Sequence, residues 1–177
     1  RMEPNVNGIR KGGGNIDPVV RGLKYGQLNV QANSGQKIEG GCPNRMDPAT
    51  AHTEPEDIRS IEVIKGPYAL RYGPAFGGVI KLNTAHNYSL DSNFVNLQAV
   101  KTYETNRNGN KEYLSVAGGN KIGYLDVSGS RKIYGNYKDG NGNEVNSSFE
   151  KYSYGIQAGI KPAANHLISV DYKESKG

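Results

Sequence analysis

The segment Gly40-Gly41-Cys42-Pro43-Asn44-Arg45-Met46-Asp47-Pro48 is the part of this chain best equipped for chemistry. It carries the chain's single cysteine and, four residues on, one of its two methionines. A thiolate and a thioether are soft ligands, suited to Cu(I) rather than to hard ions such as magnesium or calcium. Pro43 suits the first position of a helical turn and Pro48 ends one, so the spacing predicts both sulfurs on one side of a single turn. His52 lies close enough in sequence to approach this loop, and Asp47 before Pro48 reads as a turn residue. The same two sulfur residues also have plain roles, a small buried cysteine and a methionine that fills a gap.

Other candidate groups are weaker. His52, His86 and His166 are far apart and lack the H-x-x-x-H spacing of a metal-binding helix. Asp139, Asn141, Asn143 and Glu150 imitate a calcium loop, but Glu144 stands where the loop needs glycine and the flanks read as strands, so an exterior-facing loop is expected. Lys11-Gly12-Gly13-Gly14 lacks the Gly-Lys-Ser/Thr of a phosphate loop and reads as a turn. No Ser/His/Asp or Cys/His arrangement suggests an enzyme. The net charge of +5 is spread without a run of five basic residues, which reads as solvated surface and gives no support for nucleic-acid binding.

The elements that must position Cys42 are bounded by composition. A spanning helix needs ~20 consecutive apolar residues, and the apolar stretches here are only a few residues long. One cysteine excludes a disulfide scaffold. Arg1-Met2-Glu3-Pro4 opens without a signal-peptide pattern, so a mature or trimmed chain is expected. Composition changes near residue 85: the first part holds seven of the eight prolines, the cysteine and both methionines. The expected division is a mixed α+β domain over residues 1–85 and consecutive strands over residues 86–177.

The second part alternates with period two. Val95, Leu97 and Ala99 oppose Asn96 and Gln98; Leu114 and Val116 oppose Tyr113, Ser115 and Ala117. Leu125 and Val127 oppose Tyr124, Asp126, Ser128 and Ser130. Past a polar loop from Gly135 to Ser148, Tyr152, Tyr154, Ile156, Ala158 and Ile160 interleave with Ser153, Gly155, Gln157 and Gly159; Ile168, Val170 and Tyr172 then oppose Ser169 and Asp171. Five antiparallel strands in an up-and-down meander follow, each near the ~9–11 residues of a tilted transmembrane strand, with Tyr near the strand ends as in aromatic girdles. Alternation alone serves a soluble sandwich equally well. Five strands do not close a membrane barrel, so the membrane reading makes this chain a fragment.

Motifs in the first part bear on that choice. Val19-Val20-Arg21-Gly22-Leu23, Ile61-Glu62-Val63-Ile64-Lys65-Gly66-Pro67, Tyr72-Gly73 and Gly77-Gly78-Val79-Ile80-Lys81-Leu82-Asn83-Thr84 together resemble the plug domain of TonB-dependent outer-membrane receptors and transporters. The resemblance covers about residues 9–84 and implies that the meander opens a barrel of ~22 strands. Arg21 and Glu62 carry charge in strand-like stretches, so a paired internal cluster is expected. Gly66, Pro67, Gly73, Gly77 and Gly78 read as turns and close approaches. Pro55-Glu56-Asp57 reads as a first helical turn leading into Ile58 and Ile61.

The C-x-x-x-M followed by D-P resembles the OprC/NosA-like branch of copper receptors within this family, with Cys42 and Met46 as the matching ligands. The resemblance implies a bacterial outer-membrane transporter that binds a scarce ligand at the plug apex, with copper as Cu(I) for cargo. It further implies energisation by a TonB-type inner-membrane complex, contact with outer-membrane lipid and a surface lipoprotein as a candidate partner. No TonB box is evident in residues 1–20, so that segment and a first plug strand are expected upstream. The alternatives are uptake of a siderophore, a corrinoid or a glycan with Cys42 and Met46 merely packed, and a soluble β-sheet adhesin or carbohydrate-binding module.

Overall fold

A computed structural model of the chain describes residues 4–11, 14–33, 35–84 and 88–177, and its contacts separate two units, Arg1–Ala85 and His86–Gly177. His86, Gly12 and Gly13 lie outside the described residues.

In the first unit, β1 (Val6–Lys11) and β2 (Asn15–Val20) form an antiparallel hairpin. A four-stranded sheet follows in the order β4-β3-β6-β5, from β3 (Asn29–Ala32), β4 (Gln36–Lys37), β5 (Ser60–Ile64) and β6 (Val79–Asn83). The β3–β6 pair is parallel. Parallel neighbours require a long crossover, and this one, residues 33–78, carries the Cys42 loop. Val20, Leu28, Val30, Ala49, Ile80 and Leu82 make the core, so the crossover is anchored through Ala49.

Among the described residues of this unit, helix is limited to α1 (Gly41–Asn44) and short 3-10 turns, among them Ala49–His52, Pro55–Asp57 and Gly66–Tyr72. The helix expected from Pro55 stops after one turn. Ile58 is already extended, and the Arg59 N–H donates to the Asn83 carbonyl at 2.8 Å, so pairing with β6 claims the chain. The expected buried Arg21–Glu62 cluster does not form within this unit. Arg21 is exposed in a turn at φ 52°, and Glu62, half exposed, accepts from the Asn83 side chain at 2.8 Å with Lys81 at 3.9 Å.

The second unit is the expected meander: β7 (Phe94–Glu104), β8 (Gly109–Gly119), β9 (Gly123–Tyr134), β12 (Phe149–Ala163) and β13 (His166–Lys176) pair antiparallel in chain order. Between β9 and β12, β10 (Tyr137–Lys138) and β11 (Glu144–Val145) add a small hairpin to the polar loop.

Burial on this sheet is inverted relative to a soluble protein. Val95 is 85% exposed, Leu97 65% and Val170 68%, while Asp126 is 7% exposed and Ser115 5%. Register aligns the apolar side chains into rows such as Leu97–Val116–Val127–Ile156. Four residues further along the same face, the row Lys101–Glu112–Arg131 ends the apolar band, with Lys101 and Glu112 paired at 3.0 Å. The polar face is hydrogen-bonded internally: Asp126 accepts from Tyr88 at 2.7 Å and Ser115 at 3.0 Å, and Tyr88 stacks on Phe94. A soluble sandwich buries its aliphatic face and wets the polar one; a membrane barrel does the reverse. The tyrosines divide between the faces, Tyr103, Tyr152, Tyr154 and Tyr172 on the exposed one, Tyr113 and Tyr124 buried on the other.

Candidate functional site

The loop Gly40–Pro48 closes on itself. A side chain at Gly40 would place its Cβ 1.9 Å from the Asp47 carbonyl oxygen, so only glycine lets the two ends of the loop meet. The Gly40 N–H donates to the Asn44 side-chain oxygen at 2.5 Å, and Asn44 is buried. The Arg45 N–H donates to the Gly41 and Cys42 carbonyls, both at 3.1 Å, and the Met46 N–H to Gly41 at 3.3 Å. Pro48 is fully buried at the end of the loop, and Ala49 joins the core.

This is not the regular helical turn expected from the spacing. Cys42 sits at φ 51° and Asn44 at φ 63°, both left-handed. A residue before proline disfavours the α region, and a non-glycine residue in the left-handed region costs on the order of 1–3 kcal/mol. Strain of this kind persists where its surroundings over-determine it, as the Gly40–Asp47 closure does here. Cys42 and Met46 thus share one closed loop whose ends are joined by the Met46 N–H on the Gly41 carbonyl and by the Gly40–Asp47 approach.

Both are accessible on this unit. Cys42 is a free, exposed cysteine and Met46 is 71% exposed, so neither packs into the core. His52 is exposed at the end of its 3-10 turn. Among the described residues no group of three or more His, Cys, Asp or Glu gathers as a metal site.

A brace that sequence reasoning missed holds the loop from outside. The Lys11 ammonium at the end of β1 donates to the Arg45 carbonyl at 2.5 Å, stands 3.5 Å from the buried Asp17 carboxylate on β2, and lies 4.2 Å from the centre of the Tyr25 ring. The Thr50 hydroxyl donates to the Ile16 carbonyl at 2.5 Å. The first hairpin thus grips both sides of the Cys42 loop. The only available signal was a lysine bordering a glycine turn, which reads as surface.

The glycine motifs serve the scaffold. Gly66, Gly73 and Gly78 have positive φ, and a Cβ at Gly77 would meet Leu28 and Leu23 at 2.8 and 2.9 Å. Pro67 lies in the first turn of the 3-10 segment, and the Tyr72 carbonyl at its end accepts from Asn29 at 3.2 Å and Gln31 at 2.7 Å, tying the segment to β3. The Lys65 ammonium donates to the Pro4 carbonyl at 3.4 Å.

In the calcium-like loop, the Asp139 carboxylate accepts from the backbone N–H groups of Asn141 and Asn143, both at 2.9 Å, and from the Asn143 side chain at 3.1 Å. Those donors occupy its oxygens, which makes a turn and not a cation site. They also hold the carboxyl below its ordinary range, the Asn143 side-chain amide most of all.

Residues 1–79 match the family model of the TonB-dependent Receptor Plug Domain. Among solved structures, the copper transporter OprC superposes with a TM-score of 0.85 at 32% sequence identity, over 97% of this chain and 26% of that one. This chain therefore spans about a quarter of the length of that relative. No curated protein matches it in sequence.

Proposed function

From the premise that the chain is the plug and leading barrel strands of a TonB-dependent outer-membrane receptor close to the copper transporter OprC, we propose that the full-length protein is a copper importer. In this reading Cys42 and Met46 capture Cu(I) at the plug, and the TonB-type complex drives its release to the periplasm. The plug-domain match and the likeness to OprC support this reading of an outer-membrane receptor or transporter energised through TonB.

The observation that carries the copper reading is the exposure of both sulfurs on a closed, strained loop. A packed cysteine and a gap-filling methionine would be covered by apolar neighbours; these are not. Thiolate and thioether select Cu(I) from the harder cations around it, and the remaining ligands come from outside the described residues. Working the plug loose requires force on a unit whose first hairpin grips the ligand loop through Lys11 and Thr50, so pulling on β1 disturbs the site and lowers its affinity.

Metal analysis of the full-length receptor from outer membranes of copper-fed cells tests this. Near-stoichiometric copper in the wild type, lost in Cys42→Ser and in Met46→Ala, is the expected result. Copper absent from the wild type, or retained in both variants, overturns it and returns the cargo to organic ligands such as a siderophore, corrinoid or glycan.

A further inference from the structure

The exposed, aliphatic face of the second unit carries a notch of about 400 Å³ over β8, β9 and β12, walled by Glu112, Leu114, Gly129, Arg131, Tyr152 and Tyr154. Its floor is a glycine. Gly129 stands directly opposite Leu114 on β8 and directly opposite Tyr154 on β12, so the row Leu114–Gly129–Tyr154 lacks its middle side chain. The nearest atom to a Cβ built on Gly129 is the Ser153 carbonyl oxygen at 3.9 Å, so the glycine leaves open space rather than serving a tight backbone approach. Each of the three strands has a paired strand on both sides, which makes the walls complete within this unit.

Position and charge say what the notch meets. The apolar row Leu97–Val116–Val127–Ile156 runs along one side of it, and Glu112, Arg131 and Tyr152 stand in the charged row on the other. Just past Arg131, β9 enters the long polar loop to β12, whereas the connections at the far ends of these strands, residues 120–122 and 164–165, are short. Outer-membrane barrels carry short turns on the periplasmic side and longer loops outside, which sets the notch at the outer edge of the apolar band. Arg131 keeps its donors. The Glu150 carboxylate beside it accepts from the Tyr152 hydroxyl and lies 3.9 Å from the guanidinium, longer than a hydrogen bond, while Glu112 is taken by Lys101 at 3.0 Å.

We propose that this notch holds one phosphorylated lipid of the outer leaflet, with an acyl chain over Gly129 between Leu114 and Tyr154 and the phosphate on Arg131. An alkyl chain lying there makes the dispersion contacts that the missing side chain leaves unmade. The planar guanidinium fork matches a phosphate with two parallel hydrogen bonds. The site rests on the barrel reading of the second unit and is independent of the copper reading.

The test uses full-length receptor in dodecyl maltoside, titrated with diphosphoryl lipid A and, separately, with dioleoylglycerol, which has acyl chains and no phosphate; native mass spectrometry reads the bound lipid. The expected result is a saturable lipid A site that is weaker by roughly tenfold in Gly129→Leu, which fills the notch, and in Arg131→Gln, which removes the charged donors. Dioleoylglycerol binds more weakly than lipid A, and Lys121→Gln, in the short turn at the other end of β9, leaves binding unchanged. Heat-modifiable migration on denaturing gels reports whether each variant folds; should Gly129→Leu fail to fold, Arg131→Gln against Arg131→Lys carries the comparison, the lysine variant retaining more binding. No saturable lipid A binding to the wild type, wild-type affinity in either folded variant, equal affinity for dioleoylglycerol, or an equal loss in Lys121→Gln overturns the proposal.

Discussion

Gly40 in the first unit and Asp126 in the second fix their own surroundings in opposite ways. At Gly40 the constraint is space. Alanine there drives its methyl into the Asp47 carbonyl, and overpacking of this kind costs about 1–3 kcal/mol. Gly40→Ala is therefore expected to open the loop, speed alkylation of Cys42 by a maleimide and lower the copper content. A Cys42 alkylation rate equal to wild type would mean that the loop does not depend on this closure. At Asp126 the constraint is charge. Its carboxylate is 7% exposed and takes hydrogen bonds from Tyr88 and Ser115; bonds to a charged group contribute about 1.5–3 kcal/mol each. Asp126→Ala is expected to lower the unfolding midpoint in detergent more than Asp126→Asn, which keeps an acceptor oxygen for one hydroxyl and offers an amide N–H to the oxygen of the other.

Among the elements, the long strands were legible and the ligand loop's support was not. Period two and short turns reveal β7, β8, β9, β12 and β13 because sheet faces write themselves into neighbouring residues, whereas the two-residue strands β10 and β11 are read as polar loop. The brace on the Cys42 loop joins Lys11 to Arg45, 34 residues apart, and no local pattern encodes such a meeting. The spacing of Cys42 and Met46 was readable as a pair, but the left-handed turn that joins them was not, since it follows from closure at Gly40. Removing the brace gives a check: Lys11→Met leaves the buried Asp17 carboxylate without its ammonium, which is expected to destabilise the plug by about 3 kcal/mol and to loosen the loop, while Lys11→Arg preserves much of both. Thermal unfolding and Cys42 alkylation, read together, separate the two effects. The Asp139 loop responds to acid. Because Asn143 lowers the carboxyl below its ordinary value of 3.8, the turn is fully stabilised above that value and loses support as pH falls through the lowered one. Amide signals of Asn141 and Asn143 in selectively labelled receptor should hold their positions from neutral pH down to about 4 and shift only below it. Movement between neutral pH and 5 would contradict the turn's dependence on an ionised Asp139.

For the molecule as a whole, the inverted burial of the second unit decides where it can live. Val116 lies in the middle of the apolar face, and an arginine at the membrane midplane of a barrel costs about 2–4 kcal/mol. Val116→Arg should lower stability in lipid vesicles by that order while Ser115→Thr, on the other face, is nearly neutral; equal losses would place Val116 away from lipid. The alternation has a further consequence, for the route by which the chain reaches its membrane. Among the described residues no helix is long and apolar enough to cross a bilayer, and along the long strands side chains of the apolar face such as Leu97, Val127 and Ile156 are followed by polar ones. A translocation channel that releases uniformly apolar stretches sideways meets no such stretch in these strands, whose hydrophobic face exists only once they are extended and paired.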